Sequence, residues 1–332
     1  MEMKTKYLIQ ISILLVAIII SSCSTNSRKP NNSEKSHVSK SEKLNYKIIT
    51  SDIDNFWVAY DSLQNTTDSI STIQRLYIDK ASDGLLEFLK VRPRFTSKAY
   101  VEAIEKYPKF WKSVRHSTLN IEKNSLRIKS AFMEIKKIYP EFEIPDICFA
   151  ISPVSAGGTT AQDNKMILIG TEIVAADSSV DISEFNNILK DILGTLNVPL
   201  YIIHEAIHTS QNPMCEPSIL TETLMEGSAE FISHFILKKE FRTKKYEYGY
   251  ENECDLWGKI KVDIENDTNY DKWFGSYSNN KHPDMGYFIG YRIIEAYYEQ
   301  ADNKEQALVD IIKLTHPGEI LNKSNYDGNC NN

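Results

Sequence analysis

The distribution of apolar residues divides this chain into stretches of different character. From Tyr7 to Ile20 they form an almost continuous run, whereas Ser24 to about Leu44 has almost nothing to bury. The segment from Ile53 to about Tyr139 reads mostly as helices. Asp54-Asn55 is expected to open one of them, with Phe56, Val58, Ala59 and Leu63 as its apolar face. A longer one is expected from Glu122 to Ile138, where Leu126, Ile128, Ala131, Phe132, Ile135 and Ile138 recur at helical spacing before Tyr139-Pro140 ends it. The pattern then turns to short β-rich runs at Ile147 to Ile151 and Met166 to Ile169. Between them lies Ser155-Ala156-Gly157-Gly158-Thr159-Thr160, whose glycines permit positive φ and close backbone approach. This segment reads either as a loose hairpin connection or as a strand edge that offers bare backbone to an extended peptide. Further helices are expected near Ile182 to Leu189, from Val198-Pro199 to about Gln211 with Leu200, Ile203 and Ile207 as its buried stripe, and from Glu216 to about Lys238 after a break at Asn212-Pro213. No repeat is visible. The reading is a single α+β, predominantly helical domain over residues 46–332, with a small β-sheet.

The first apolar run is too short to span a bilayer comfortably, and Lys4 and Lys6 precede it, as in a secretory leader covering residues 1–22. It ends in Ile20-Ser21-Ser22-Cys23, which resembles the lipobox of bacterial lipoproteins and implies cleavage before Cys23 with lipidation of that cysteine. Residues 23–45 then form a flexible tether with five Lys or Arg against two Glu between Ser24 and Leu44. The expected location is the cell envelope, lipid-anchored. Ser24 after Cys23 favours the outer membrane over the inner one by resemblance to enterobacterial sorting, with the domain in the periplasm or at the cell surface. The whole chain carries a net charge of −7, an acidic balance that argues against nucleic acid as a partner. Apart from Cys23, the cysteines are Cys148, Cys215, Cys254 and Cys330, which permit two disulfides in three connectivities and show no CxxC metal knuckle.

The segment His204-Glu205-Ala206-Ile207-His208 carries the chemistry. Four residues along a helix leave the two imidazoles roughly 40° apart in direction and one turn apart, so that they can share one Zn2+ ion. Glu205 then flanks the site, where a carboxylate can take a proton from metal-activated water. Catalytic zinc usually has three protein ligands, and no histidine follows at short spacing. Glu222, Glu226 and Glu230 form one stripe on the next helix. Glu226 is the expected third ligand: Gly227 beside it removes a side chain and lets its helix approach the motif helix, and the apolar neighbours Leu224, Met225, Ala229 and Phe231 make an unpaired carboxylate costly. Glu222 is the alternative ligand, and Glu230 a partner that orients a ligating histidine. The lone His234 and His282 read as structural.

The order HExxH, loop, then Glu226-Gly227-Ser228-Ala229 resembles the gluzincin metallopeptidases, with one residue fewer between the motifs than in the aminopeptidase branch. A nearer resemblance is to bacterial lipoproteins and secreted proteins described as zinc-dependent proteases and related to the gliding-motility lipoproteins of the Bacteroidetes. It covers Thr50 to Trp57, Ser155 to Thr159, His204 to His208, Glu226 to Phe231 and Gly286 to Tyr291. The resemblance implies a zincin-like domain with an active-site helix pair.

In Asp284 to Arg292, Gly286 and Gly290 open one face of a helix, and Tyr287 and Tyr291 form a neighbouring stripe. The tyrosines either pack with their hydroxyls at the rim or donate to an oxyanion, the role given to Tyr287. Together these readings lead to a membrane-anchored zinc metallopeptidase acting on a peptide or protein substrate. The competing reading is a non-catalytic zincin-scaffold lipoprotein that binds or assembles envelope components; a zinc hydrolase of cell-wall peptides or other amides would share every residue named.

Overall fold

In the computed structural model, residues 44–193, 197–238, 243–274, 282 and 284–330 are described. The leader, Cys23 and all but the last two residues of the tether lie outside them. The chain from Leu44 onward forms one compact unit.

Its first half is a helical array: α1 (Ser51–Ser62), α2 (Ser69–Leu76), α3 (Asp83–Val91), α4 (Ser97–Lys106), α5 (Pro108–Leu119) and α6 (Ser125–Ile138). Side-chain caps start several of them, with Asp68 accepting from Ser71 N, Ser82 from Leu85 N and Thr96 from Ala99 N. Phe56, Trp57, Tyr77, Tyr100 and Trp111 are fully buried between these helices.

The sheet has four strands in the order β1 (Ile48–Ile49), β2 (Asp146–Ala150), β4 (Met166–Gly170) and β3 (Gly158–Thr160). The first three are parallel, and β3 runs antiparallel to β4 at one edge, with Gly158 opposite Ile169 and Thr160 opposite Ile167. Residues Ile147 to Ala150 and Ile167 to Gly170 are all buried, because helices cover both faces. On the face shared by Cys148, Met166 and Leu168, Gly84 of α3 packs against Cys148 and Met166. On the opposite face, shared by Ile169 and Gly158, lies the HExxH helix.

The second half comprises α7 (Thr171–Val174), α8 (Asn187–Leu193), α9 (Val198–His208), α10 (Ile219–Leu237), α11 (Lys244–Glu251), α12 (Glu253–Asn266), α13 (Tyr270–Trp273), α14 (Met285–Gln300), α15 (Lys304–Lys313) and α16 (Pro317–Ser324). α9 packs against α10, α6 and the β3–β4 edge, and α10 packs along α14. A disulfide joins Cys254 of α12 to Cys330, while Cys148 is a buried thiol and Cys215 an exposed one. Among the described residues no helix is long and apolar enough to cross a membrane.

Several boundaries depart from the expectation for physical reasons. α1 opens at Ser51 rather than Asp54, since Asp52 and Asp54 both suit the positive end of its dipole. Asp52 is fully buried there and accepts from Ser82 N and Oγ. Residues Ile121–Asn124 form a 3-10 turn ahead of α6, and both Leu126 and Val58 are exposed rather than buried. The helix expected near Ile182 to Leu189 lies at Asn187–Leu193. Upstream of it, Glu184 accepts from Lys109 N and Phe110 N at the start of α5, and Asn186 Oδ1 accepts from Leu189 N. These side-chain bonds hold residues 182–186 out of the helix. α9 stops at His208, and Asn212 N and Met214 N turn instead to the carbonyls of Lys313 and Thr315. α10 begins at Ile219 because Pro217 disfavours helix at Glu216 and Ser218 caps Thr221 N.

A candidate metal centre between two helices

α9 starts sharply. Asn197 Oδ1 accepts from Leu200 N and Pro199 occupies the first turn, where its missing N–H costs nothing. Ile202, Ile203, Ala206 and Ile207 are fully buried, which fixes the rotation of the helix and turns His204 and His208 toward α10. There Glu226 meets them. The three donor atoms form a compact triangle: His204 Nε2 to Glu226 Oε2 3.1 Å, His208 Nε2 to His204 Nε2 3.1 Å, and His208 Nε2 to Glu226 Oε2 3.4 Å. Two donors at the usual Zn–N distance that subtend a tetrahedral angle lie about 3.3 Å apart, so the triangle has the size this ion requires. Among the described residues, these three alone form a cluster of His, Cys, Asp and Glu side chains able to hold a metal.

The site is charged and nearly dry. Burial would raise the Glu226 carboxyl, but the charges and hydrogen bonds of His208 and His204 outweigh it and hold it well below the usual range. Against its own burial, His208 is pushed up to about 10 by Glu226 and Glu205. Glu205, 7% exposed, is raised by burial, with His208 and His204 opposing.

Gln211, which the sequence reading passed over, positions His208. Its Oε1 lies 2.8 Å from His208 Nδ1, and its Nε2 donates to Met225 O and Ser228 Oγ at 2.8 and 2.7 Å. Because both donors of the amide are used, its oxygen must face the imidazole, which holds a proton on Nδ1 and leaves Nε2 as the nitrogen that would give up its proton to a metal. Only its position three residues after His208 could have hinted at this.

The expected partner roles change accordingly. Glu230 touches neither donor histidine. Its Oε1 accepts from Lys245 Nζ at 2.9 Å and its Oε2 from Tyr246 OH at 3.1 Å, and Lys245 holds its carboxyl down near 2 against the effect of burial. Glu222 lies outside the donor triangle and accepts from Tyr270 OH at 3.0 Å. Gly227 does admit a close neighbour, but that neighbour is α14: a Cβ at Gly227 would lie 2.1 Å from Gly290 C, and one at Gly290 only 1.8 Å from Thr223 O. The two glycines bring α10 and α14 together, not α10 and α9.

α14 sets Tyr287 beside the site. Its ring is nearly parallel to that of His204, with 6.3 Å between centroids, and Lys245 Nζ lies 4.9 Å from its centre. Tyr291 points elsewhere, its hydroxyl donating to Glu295 at 3.3 Å. His234 lies 3.6 Å from Glu230 and His282 stacks on Tyr248, so neither joins the donor set.

β3 borders the site on the other side. Gly157 and Gly158 do not adopt positive φ; they serve by lacking a Cβ. At Gly158 a Cβ would come within 2.6 Å of Glu205 Oε1, and at Gly157 within 2.4 Å of Tyr201 OH. Gly157 O and Ala161 N bond across to β4. By the alternation of an antiparallel ladder, the N–H and C=O groups of Gly158 and Thr160 face the outer edge. The segment is thus both a hairpin arm and an edge strand. The loop before it hangs on a buried carboxylate: Glu172 accepts from Ser152 N at 2.9 Å and Ser152 Oγ at 2.5 Å, while Tyr77 and Tyr100 donate to Ile151 O.

Fold and site together define a helix-rich α+β domain in which an HExxH helix and a glutamate-bearing second helix share a metal-type donor set. The chain belongs to the family of the gliding motility protein GldB, whose profile matches residues 31–261, a span that includes the donor triangle and stops before Tyr287. Membership of this lipoprotein family supports a cell-envelope location. No curated protein and no solved structure matches the chain.

Proposed function

We propose that the protein is an envelope-anchored zinc metallopeptidase of zincin-like design, with the His204–His208–Glu226 donor triangle as the observation that carries the reading. Zinc held there would supply a Lewis acid and an activated water. Glu205, wedged under Gly158 beside the histidines, accepts the water's proton and later returns it to the leaving amine. Tyr287, alongside His204, donates to the oxyanion. The outward backbone groups of Gly158 and Thr160 receive an extended peptide as an added strand.

The gliding-motility family favours a second reading, a lipid-anchored scaffold that binds or assembles envelope components without hydrolysis. Against it stands Glu205, a nearly dry carboxylate that no scaffold role requires. Zinc content of the purified protein and peptide-library profiling of wild type and Glu205→Gln separate the two. The peptidase reading expects one zinc per chain in both proteins, cleavage by wild type and a loss of at least about a thousandfold in the variant. Undiminished turnover by Glu205→Gln would end the mechanism, and zinc without any cleavage would favour the scaffold.

A further inference from the structure

Arg92 and Arg94 stand at the entrance to the edge strand, and neither is absorbed by the proposed chemistry. Arg92 follows α3 and Pro93 separates the pair. Arg94 Nη2 reaches Ser155 O, in the loop that leads into β3, at 3.5 Å. Arg92 Nη1 has a 3.5 Å contact with the carbonyl of Val91, its own neighbour, and its Nε is buried with no hydrogen-bond partner. Elsewhere Arg115 and Arg292 each hold a carboxylate, at 2.7 and 2.8 Å. Among the described residues, no carboxylate lies within 4.0 Å of Arg92 or Arg94.

An orphaned guanidinium N–H out of water is costly, and a planar fork of donors is suited to a carboxylate. Arg94 touches the carbonyl of Ser155, three residues before the Gly158 that covers Glu205, so the pair stands at the end of β3 along which a ligand over the donor triangle would lie.

We infer that Arg92, with Arg94 beside it, is the specificity-determining group that receives a carboxylate of the bound peptide. This rests on the peptidase reading. The carboxylate comes from an acidic side chain or from the peptide's C-terminus, and the chemistry at Arg92 is the same for both.

The test uses Glu205→Gln protein in excess zinc, so that peptides bind without turnover, and labelled peptides in matched pairs: internal Glu against Gln, and C-terminal acid against amide. At least one acid form is expected to bind about tenfold more tightly than its neutral twin. Arg92→Gln should bring that ratio close to one while leaving neutral peptides unaffected, and Arg92→Lys should fall between. Should Arg92→Gln not fold, Arg92→Lys and Arg94→Gln carry the same comparison. Which pair responds identifies the source of the carboxylate. No preference for acid, a preference that survives Arg92→Gln, or no peptide binding at all would overturn the inference. Selective binding by Glu205→Gln protein combined with no cleavage by wild type would instead count against hydrolysis and leave the carboxylate site standing.

Discussion

Gly158 lies directly over Glu205: the Cβ that any other residue would carry there falls 2.6 Å from Oε1 and 2.8 Å from Cδ of that carboxylate. The edge strand and the HExxH helix are therefore fitted to each other through the absence of one methyl group. On the peptidase reading, Gly158→Ala should displace the carboxylate by a fraction of an ångström to about an ångström and lower kcat/KM roughly a hundredfold. Zinc binding should stay unchanged, because the three donors are untouched. Parallel measurement of turnover and zinc content checks this, and a fully active Gly158→Ala enzyme would remove Glu205 from its assigned position.

Gln211→Leu tests the positioning of His208. With the amide gone, the imidazole loses the acceptor that selects its Nδ1–H tautomer. Zinc affinity, read by competition with a chelator, should fall about 10–100-fold. An affinity within a factor of two of wild type would show that His208 is oriented by packing alone.

The Gly227–Gly290 crossing should be intolerant of any side chain. In Gly290→Ala the new methyl would meet the Thr223 carbonyl, a backbone atom that cannot swing away. A loss of about 3 kcal/mol is expected, seen as a Tm lowered by roughly 5–10 °C. Gly258 in α12 is the control, since a Cβ there meets nothing within 4 Å. Gly258→Ala should stabilise the protein through helix propensity, by up to about 1 kcal/mol, and so raise Tm slightly.

Glu172 should make stability depend on pH. Burial pushes its carboxyl up to about 7 despite the bonds from Ser152, so the folded protein holds a proton that the unfolded chain releases near 4.5. A carboxylate raised in this way costs nothing below pH 4.5 and destabilises progressively as pH rises to 7, by at most about 3 kcal/mol. Glu172→Gln, neutral throughout, should therefore gain on wild type between pH 5 and 8 in chemical denaturation. Parallel stability curves over that window would show that Glu172 is ionised in the fold at no cost.

Short-range physics made much of this protein legible before folding. The spacing of His204 and His208 predicts two imidazoles on one face because 3.6 residues per turn is a property of the backbone, and the buried stripe of Ile203 and Ile207 tells which face is hidden. The strands at Ile147 and Met166 and the break at Asn212-Pro213 are equally local. The apolar surroundings of Glu226 single it out among the three glutamates, and it falls within the donor triangle. What depended on partners distant in the chain was misread or missed. Glu184 caps α5 instead of joining the helix expected over it, Gly227 opens a path to α14 rather than to α9, and Glu230 turns to Lys245 and Tyr246. No periodicity records which helix lies across a given face, because packing is decided by the shapes of surfaces that meet only after folding. By itself the sequence determined that His204 and His208 share one face of a helix with Glu205 beside them, and the helical frame that presents them. Only the tertiary structure decided that Gly158 covers Glu205, since the core brings their elements together, and that the Gln211 amide turns its oxygen to His208, since Met225 O and Ser228 Oγ of the next helix take its two donors.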